Sequence, residues 1–550
     1  MDVQSFYTPE GLTVIAAIAG LTTYIFHFHR GEHHLYPQRN IKVFLTLYLG
    51  LLFTLKYVSP TANPFETSAF PVTIYLFTII GAMTFYRIFL NPLNKFPSNF
   101  LARLTSFSMS ARVFKENTMY LDLYADHKKW GKIIRFSPND ISVSHPDAIR
   151  VSMGPTASCG KGTWYDYEQP SYSIHSARSR KEHDPRRRIW SPAFSDKALR
   201  GYEERVVNIN ETLVRQIDGF NGKPLDISTW IRFWAFDAMG DLAFGKSFHM
   251  LESAKSHWAI DMMTDSGKGA ALAFPSWFVR LLMAIPGAKR AYYTLLDFCA
   301  KQIDERMSIQ GKQANPDITH FLIEHYLTVK RNRPNEAKAE LQKLHLDSRL
   351  VVLAGSDTTS AVMAFLLYHI AKEPGLLGRL RAEIEGLIGD DAKIENRKVQ
   401  AATLLNACIN ETMRLHPAVP SGLYRKTPAE GVHMGGEFIP GNTTFLVNFY
   451  AMGRDEDNFA QADEFIPERF STRPELVKEK DAFAPFWGGP FGCLGKNLAL
   501  MEIRLLTAIL VTRFDIELAP GEVGSQLLAS FDVFTPGLKP CQLVFKRRVF

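Results

Sequence analysis

The first ninety residues contain three long apolar stretches, at 11–28, 41–58 and 69–90. Each has about 18 residues or more with few charges, which is the length that an α-helix needs to cross a lipid bilayer. The acidic start of the chain and the repetition of apolar stretches favour a membrane anchor over a cleavable signal peptide. The pattern therefore predicts a membrane anchor at 1–90 with up to three transmembrane helices.

The distribution of basic residues predicts the orientation of this anchor. Basic residues cluster at 30–42, between the first two stretches, and at 95–112, after the third. By the positive-inside rule, the first linker and everything after residue 90 face the cytosol. In the alternative arrangement one stretch spans the bilayer and the other two lie on its surface or against the rest of the protein. Both arrangements make membrane lipid a partner.

Beyond residue 90 the apolar positions recur mainly at helical spacing. A proline-containing segment at 91–97 marks a hinge, and neither an internal repeat nor a second boundary follows. Residues 91–550 are therefore expected to form one domain that is mainly α with a minor β portion. The predicted helices include 206–219, 347–372, 376–388, 404–416 and 494–513, and the predicted strands lie near 133–143, 432–438 and 540–549.

Composition excludes several classes of protein. The chain has 550 residues, of which 46% are hydrophobic and 22% charged, so a disordered protein and a polytopic transporter are not expected. The net charge of +7 is too small to indicate a nucleic-acid partner. The five cysteines include no C-x-x-C pair, which argues against a zinc ribbon and a disulfide framework.

One cysteine has unusual surroundings. In the stretch APFWGGPFGCLGKNLALME, the residues Phe486, Gly489, Cys493 and Gly495 fit the spacing F-x-x-G-x-x-x-C-x-G. The glycines allow a tight turn beneath a flat ligand, and a helix is expected to begin near Leu494. Backbone N–H groups at a helix N-terminus would stabilise a thiolate, which is the form that ligates haem iron and favours O–O cleavage. A buried structural role is expected for the other cysteines, Cys159, Cys299, Cys408 and Cys541.

This stretch resembles the haem-binding loop of the cytochrome P450 family, and other segments match that family in the same order. Glu411-Thr-Met-Arg414 resembles its E-x-x-R helix, and Arg469 lies in a segment similar to its P-E-R-F motif. The resemblance implies the cytochrome P450 fold, preceded here by N-terminal transmembrane helices, and a buried network of these three side chains. It also implies haem b as the cofactor, with Cys493 as the axial thiolate ligand of the iron and Phe486 beside the haem.

A polar segment interrupts the predicted helix at 347–372. Ala354-Gly-Ser-Asp-Thr-Thr359 places glycine, hydroxyl and carboxylate groups where they are costly. A satisfied polar kink would account for them, and so would a helix that bulges over a ligand. The resemblance implies that Asp357 and Thr358 are catalytic and relay protons to iron-bound oxygen. Haem-thiolate isomerases and dehydratases commonly lack this acid–alcohol pair, which favours a monooxygenase.

The basic segment at 178–195 has two interpretations. A run of charges is usually a solvated face. His183 and Arg187, however, have the spacing of the family's W/H-x-x-x-R helix, which neutralises the haem propionates, and Arg425 matches another family arginine with that role. Two residues before the cysteine the family usually has Arg or His, but here Phe491 stands in that place. One charge-assisted hydrogen bond to the haem is therefore expected to be missing. The remaining basic residues would form a docking surface for a reductase.

The resemblance implies a haem-thiolate monooxygenase that hydroxylates or otherwise oxidises a hydrophobic small molecule. It would use O₂ and electrons from an NADPH–cytochrome P450 reductase, alone or together with cytochrome b5. Several segments resemble membrane-bound fungal members of secondary metabolism, so the expected substrate is a terpenoid, meroterpenoid or indole-alkaloid intermediate. On the family's pattern it would contact 164–172, 353–358, 417–423 and 530–534.

The expected location is the endoplasmic reticulum membrane, with the catalytic domain facing the cytosol. Two alternatives remain open from the residues alone. One is a haem-thiolate isomerase or dehydratase that does not use O₂, and the other is a non-catalytic membrane protein that binds haem or sterol.

Overall fold

The computed structural model describes residues 9–58, 60, 63–154, 157–169, 172–270, 272–311, 316–389 and 393–548. It is 64% helical and 9% strand, which confirms the predicted fold class, mainly α with a minor β portion. The α-helices are α1 Pro9–Thr23, α2 Pro37–Val58, α3 Pro64–Phe85, α4 Phe100–Leu104, α5 Phe107–Val113, α6 Met119–Trp130, α7 Asp147–Met153, α8 Arg180–Trp190, α9 Asp196–Gly219, α10 Ile227–Phe244, α11 Met250–Ser253, α12 Trp258–Ala270, α13 Ser276–Leu282, α14 Arg290–Ser308, α15 Ile318–Asn332, α16 Ala337–Lys372, α17 Pro374–Ile388, α18 Asn396–Val399, α19 Thr403–Leu415, α20 Phe449–Gly453, α21 Lys496–Arg513 and α22 Ser525–Leu528. The strands are β1 Ile133–Ser137, β2 Asp140–Val143, β3 Gly160–Lys161, β4 Leu225–Asp226, β5 Leu423–Lys426, β6 Val432–Met434, β7 Glu437–Ile439, β8 Thr444–Val447, β9 Phe514–Leu518, β10 Phe531–Asp532, β11 Pro536–Gly537 and β12 Gln542–Arg547.

The chain divides into two compact units. The smaller unit comprises the residues up to 110 together with the short segments 135–140 and 274–289, and the larger unit comprises the rest. The division into an anchor at 1–90 and a catalytic domain at 91–550 stays a prediction.

Three helices of the smaller unit are long and apolar enough to cross a membrane. They are Glu10–Phe28, formed by α1 and the turn after it, Pro37–Val58, which is α2, and Pro64–Leu90, formed by α3 and the turn after it, with a mean hydropathy of 1.6 in each and at most 17% of the apolar window buried. Two of them continue into π-helical turns, Tyr24–Phe28 after α1 and Tyr86–Leu90 after α3. A fourth helix of sufficient length and apolarity, Pro334–Lys372, is 67% buried in the same measure, so core packing in the larger unit accounts for its composition.

Helices α1 and α3 approach each other closely. A Cβ atom on Gly20 would lie 2.7 Å from the backbone oxygen of Tyr75, so only glycine fits at this contact. Further along, the Tyr75 hydroxyl donates to Thr23 Oγ1 at 3.2 Å, and the rings of His29 and Tyr86 lie 4.4 Å apart. Because the contacts advance in the same direction on both helices, α1 and α3 run parallel.

Helix α2 runs antiparallel to α3. The hydroxyl groups of Tyr48 and Ser68 lie 3.3 Å apart, and the rings of Phe44 and Tyr75 stack at 6.1 Å, so the contacts run in opposite directions along the two helices. At the start of α2, the Gln38 side chain donates to the backbone oxygen of Arg280 in α13 at 2.7 Å. The linker between α1 and α2 therefore lies beside the segment 274–289.

Helix α16 is central to the larger unit, where it packs along α10. A Cβ atom on Gly355 would lie 2.5 Å from Met239 Sδ, so the two helices meet closely at this glycine. In the largest sheet, the strands β2, β8, β5 and β3 lie side by side in that order. Antiparallel pairing of β3 with β5 sets Lys161 opposite Arg425. Directly opposed residues of two strands point to the same face of the sheet, so the side chains of Lys161 and Arg425 lie in the same environment.

Candidate active site

The loop that carries Cys493 folds back on itself. The backbone N–H of Cys493 donates to the carbonyl of Phe486 at 2.9 Å, so Phe486 orients the cysteine through its backbone. Gly489 has φ +59°, and a Cβ atom on it would lie 2.2 Å from the backbone oxygen of Met153, so no other residue fits there. The following helix, α21, begins at Lys496, two residues later than Leu494, because Cys493 to Gly495 are part of the turn.

Cys493 is the exposed cysteine of this chain, whereas the other four are buried. Surrounding protein nevertheless withdraws its sulfur from bulk water. That burial raises the pKa of the Cys493 thiol, although the backbone N–H groups of Gly495 and Lys496 and the charge of Arg187 lower it. The backbone N–H groups at this turn therefore favour the thiolate, as expected, but desolvation of the sulfur is the larger effect. The Cys493 thiol is therefore accessible to a ligand although protein surrounds it. A bound metal cation would hold this thiol deprotonated.

Three charged side chains with no solvent exposure hold the part of the chain that precedes this loop. Glu411 pairs with Arg414 at 2.7 Å and with Arg469 at 2.9 Å. Arg414 also donates to the carbonyls of Ala462, at 2.6 Å, and Glu464, at 2.9 Å. The three side chains expected to form a network therefore do so, and they bind the backbone that leads to the cysteine.

The polar segment of α16 keeps partial exposure within a largely buried helix. Ala354 is exposed and Asp357 and Thr358 are partly exposed, although the helix is otherwise largely buried. The expected bulge is not seen: α16 stays α-helical throughout, and the Thr358 hydroxyl donates to the Ala354 carbonyl within the helix at 2.7 Å. Burial raises the pKa of Asp357 to about 6, against a smaller lowering by the charge of Arg232.

The predicted cofactor-binding residues on α8 reach the cysteine loop. The rings of His183 and Phe491 lie 4.7 Å apart, and Arg187 donates to the carbonyl of Gly492 at 2.5 Å. Burial and, to a smaller extent, the charge of Lys161 lower the pKa of His183 to about 4. His183 is therefore neutral at physiological pH, so it offers a hydrogen bond rather than a charge.

Arg425 lies in the same group and is buried. Its guanidinium carbon sits 4.4 Å from the centre of the Trp487 ring and 5.7 Å from that of Phe491. Two N–H donors in this group, Arg425 Nε and Trp487 Nε1, are buried and have no partner within the described residues. Burial lowers the pKa of Arg425, which shows that its charge is costly without an anion. Orphaned donors around a buried cation fit the carboxylate groups of a haem.

Lys161 and Trp487 were missed by the sequence reasoning. The Lys161 ammonium is buried, donates to the carbonyls of Ile174 at 3.1 Å and His175 at 2.6 Å, and lies 5.1 Å from the centre of the Phe491 ring. A lysine in a short glycine-flanked strand has no local signal of burial, and only the pairing of β3 with β5 places it beside Arg425. Phe491 itself carries no charge, but the ammonium group of Lys161 lies over its ring.

Aromatic rings gather around Trp164 and Phe534, which lie in segments expected to contact substrate, together with His175 and Tyr424, which lie just outside those segments. The Trp164 ring stacks on that of Phe534 at 5.1 Å and on that of Tyr424 at 5.8 Å, while His175 meets Phe534 edge-on at 5.4 Å. Phe534 has φ +84°, a strained value for a residue with a side chain. Within the described residues, no hydrogen bond or ion pair joins Asp357 or Thr358 to these rings or to the cysteine loop.

Comparison with known proteins identifies the family. The model of the family described as Cytochrome P450 matches residues 108–539. The chain is 39% identical to cytochrome P450 monooxygenase lcsK of Purpureocillium lilacinum, over 98% of this chain and 99% of that protein. It is 35% identical to tryprostatin B 6-hydroxylase of Aspergillus fumigatus, over 98% and 97% of the two chains.

The chain therefore belongs to the cytochrome P450 family, as its sequence predicted. It is a cytochrome P450 monooxygenase of the kind found in fungal secondary metabolism, and it oxidises a small molecule. The relatives do not support the alternatives of an isomerase, a dehydratase or a non-catalytic binding protein.

We predict that Glu411→Gln destabilises the enzyme strongly, because it leaves two buried guanidinium groups without their shared carboxylate. The free energy of unfolding should fall by about 3–5 kcal/mol, measured by thermal or denaturant unfolding. Glu395→Gln is the matched control, because Glu395 pairs with Lys393 and Arg397 at the exposed surface and should change stability little. Equal unfolding midpoints for the two variants would contradict the prediction.

Proposed function

We propose that this enzyme is a haem-thiolate monooxygenase in which Cys493 ligates the iron of haem b. The observation that carries the proposal is the one exposed cysteine, held by a backbone hydrogen bond in a glycine turn while the other four are buried. When bound, haem supplies oxygen activation and the oxidation of a C–H bond of the substrate. The chain's own residues hold the cofactor, position the substrate and manage protons.

Arg425, Lys161 and Arg187 provide the positive charge for the haem carboxylates in this proposal. His183 and Trp487 add neutral N–H donors. Support comes from the two orphaned donors, Arg425 Nε and Trp487 Nε1, since a carboxylate would satisfy both and offset the desolvation of the cation. Phe486 acts beside the cofactor through its carbonyl, which fixes the Cys493 N–H.

Asp357 and Thr358 handle the protons of the reaction. A carboxyl group with a pKa of about 6 is near the physiological range, so Asp357 can both take up and release a proton there. The Thr358 hydroxyl rests on the Ala354 carbonyl and can turn to pass a proton towards the partly exposed side of α16.

The proposed substrate is a hydrophobic, partly aromatic small molecule. The rings of Trp164, Tyr424, Phe534 and His175 supply flat apolar surface together with a polar edge, which suits a ligand of that kind. One relative is named as a hydroxylase of tryprostatin B. Among the predicted classes we therefore favour an indole-alkaloid intermediate over a terpenoid or meroterpenoid.

Residues 1–90 are proposed to anchor residues 91–550 in the endoplasmic reticulum membrane by three spans. Parallel packing of α1 and α3, with α2 antiparallel, is the topology that three successive crossings require. The basic residues at 30–42 and 95–112 support the orientation, because by the positive-inside rule they favour a cytosolic catalytic domain. With that domain in the cytosol, NADPH–cytochrome P450 reductase, alone or with cytochrome b5, is the electron donor.

The proposal is tested by the spectrum of the purified protein. Reduced wild-type enzyme with carbon monoxide should show the red-shifted Soret band of thiolate ligation, and Cys493→Ala should abolish it. Cys299→Ala is the control, since that cysteine is buried in α14 and should leave the band intact. An unshifted band in the wild type would refute the ligand assignment, and a lack of oxygen-18 incorporation into product in the presence of reductase would refute the reaction.

The role of Lys161 is tested by moving its charge. Lys161→Met should lower haem affinity by roughly tenfold or more, because one charge-assisted hydrogen bond is lost. Phe491→Arg should keep or raise haem occupancy and should restore it in the Lys161→Met background. Haem content per protein and the rate of haem transfer to apomyoglobin measure this, with Lys398→Met, which removes a lysine bound to the Ile388 carbonyl, as the control. Loss of haem from Phe491→Arg would contradict the placement.

The role of Asp357 is tested by Asp357→Asn. Product formation should fall by roughly 10²-fold, whereas Ser356→Ala, which removes a hydroxyl bound to the Ala235 carbonyl on the α10 side, should be close to wild type.

The same variant tests the raised pKa of Asp357. Because this pKa is raised to about 6, the native state holds the proton more tightly than the unfolded chain, and the stability that the bound proton contributes is lost as the pH rises through 6. The variant should therefore gain thermal stability over wild type at pH 7.5 but not at pH 4. A constant difference across this range would contradict the assignment.

A further inference from the structure

A single buried carboxylate joins three parts of the larger unit. Asp347, in α16, has no exposed surface and accepts three hydrogen bonds. The donors are the backbone N–H of Ile174 at 3.1 Å, Arg186 Nε at 2.6 Å and Trp190 Nε1 at 2.9 Å. The last two lie on α8, and the first precedes it in the chain.

The charged groups buried around Asp347 cost free energy of desolvation. Arg186 is buried and also pairs with Glu340 on α16, which Lys343 and His325 approach at 3.4 and 3.7 Å. Replacing a buried ion network by apolar side chains is often neutral or stabilising, so stability alone does not explain it. What the network does supply is a unique geometry, because its hydrogen bonds are satisfied in only one arrangement of the three elements.

On α8 that geometry determines which side chains face the cofactor site. Arg186 and Trp190 are four residues apart and form one stripe of the helix, and His183 and Arg187 form the neighbouring stripe. Holding the first stripe on Asp347 fixes the rotation of α8 about its axis. The second stripe is thereby aimed at Phe491 and Gly492 in the cysteine loop.

The other donor connects Asp347 to the aromatic side of the site. Ile174 gives its N–H to Asp347, while the carbonyls of Ile174 and His175 accept from Lys161. The ring of His175 contacts Phe534 and Trp164. The peptide that carries this ring is therefore held from both sides, by the carboxylate of α16 and by the ammonium of β3.

We infer that Asp347 is a positioning residue that holds the cofactor-facing stripe of α8 and the ring of His175 in one register relative to α16. Its importance for catalysis rests on the proposed function, although its geometry does not. An asparagine at this position keeps one acceptor oxygen but presents an N–H₂ group to the donors of Arg186 and Trp190. It can therefore keep only part of the arrangement.

The test compares Asp347→Asn with Asp317→Asn in the full-length holoenzyme. Asp317 is equally buried and is held in the same way, by Arg306 Nε at 2.5 Å and by the backbone N–H of His320 at 2.8 Å, but between α14 and α15. Both variants should lose thermal stability. Only Asp347→Asn should release haem to apomyoglobin at least fivefold faster and bind 1-phenylimidazole, an aromatic probe that ligates haem iron, at least fivefold more weakly.

Trp190→Phe keeps an aromatic ring but removes the indole N–H that donates to Asp347. This variant tests the proposal if Asp347→Asn does not fold. It should accelerate haem release while leaving the affinity for 1-phenylimidazole nearer to wild type, because only the α8 side is loosened. If Asp347→Asn and Asp317→Asn change these two readouts equally, or if Trp190→Phe changes neither, the positioning role is wrong. Failure of the proposed function is distinguishable, because wild type itself would then lack the thiolate spectrum.

Discussion

The long segment that leads to Cys493 depends on a buried carboxylate and two guanidinium groups. Between α20 and α21, residues 454–495 contain no α-helix or strand, only short 3₁₀ turns. Backbone carbonyls in such a segment have no regular partners, and buried ones must find others. Arg414 and Arg469 supply them, at Ala462 and Glu464 for the first and at Ala460 and Gln461 for the second, while Glu411 forms an ion pair with each arginine. The first part of this segment, up to Leu476, is thus held by buried charge rather than by secondary structure.

A second constraint is that the site buries positive charge and hydrogen-bond donors that the described residues do not fully satisfy. Arg425 and Lys161 are buried beside one another, and the donors Arg425 Nε and Trp487 Nε1 have no partner among the described residues. The thiol of Cys493 has its pKa raised by the same desolvation. A ligand that carries both a metal cation and carboxylates would satisfy all of these groups. Such a ligand would bind the native state and not the unfolded chain, and would therefore stabilise the fold in proportion to its affinity.

Helix α16 is the common reference for both sides of the site. Its close contact with α10 at Gly355 sets its position, and Asp347 receives hydrogen bonds from α8 and from Ile174. Asp357 and Thr358 of the same helix stay partly exposed. Substrate-side and cofactor-side elements are thereby attached to one rigid helix. In the proposed mechanism, the polar groups that make this helix unusual in sequence are the ones that handle protons.

Much of the architecture was predictable, because it follows from local periodicity. The three apolar stretches, the helix at 347–372 and the spacing around Cys493 are patterns within a few helical turns, where backbone geometry alone relates position to face. The tertiary structure decided the rest. Lys161 meets Arg425 only through the register of β3 and β5, and the raised pKa of Cys493 reflects desolvation by distant parts of the chain. Partners from remote segments and the burial they cause depend on how the chain packs, and no local pattern encodes them.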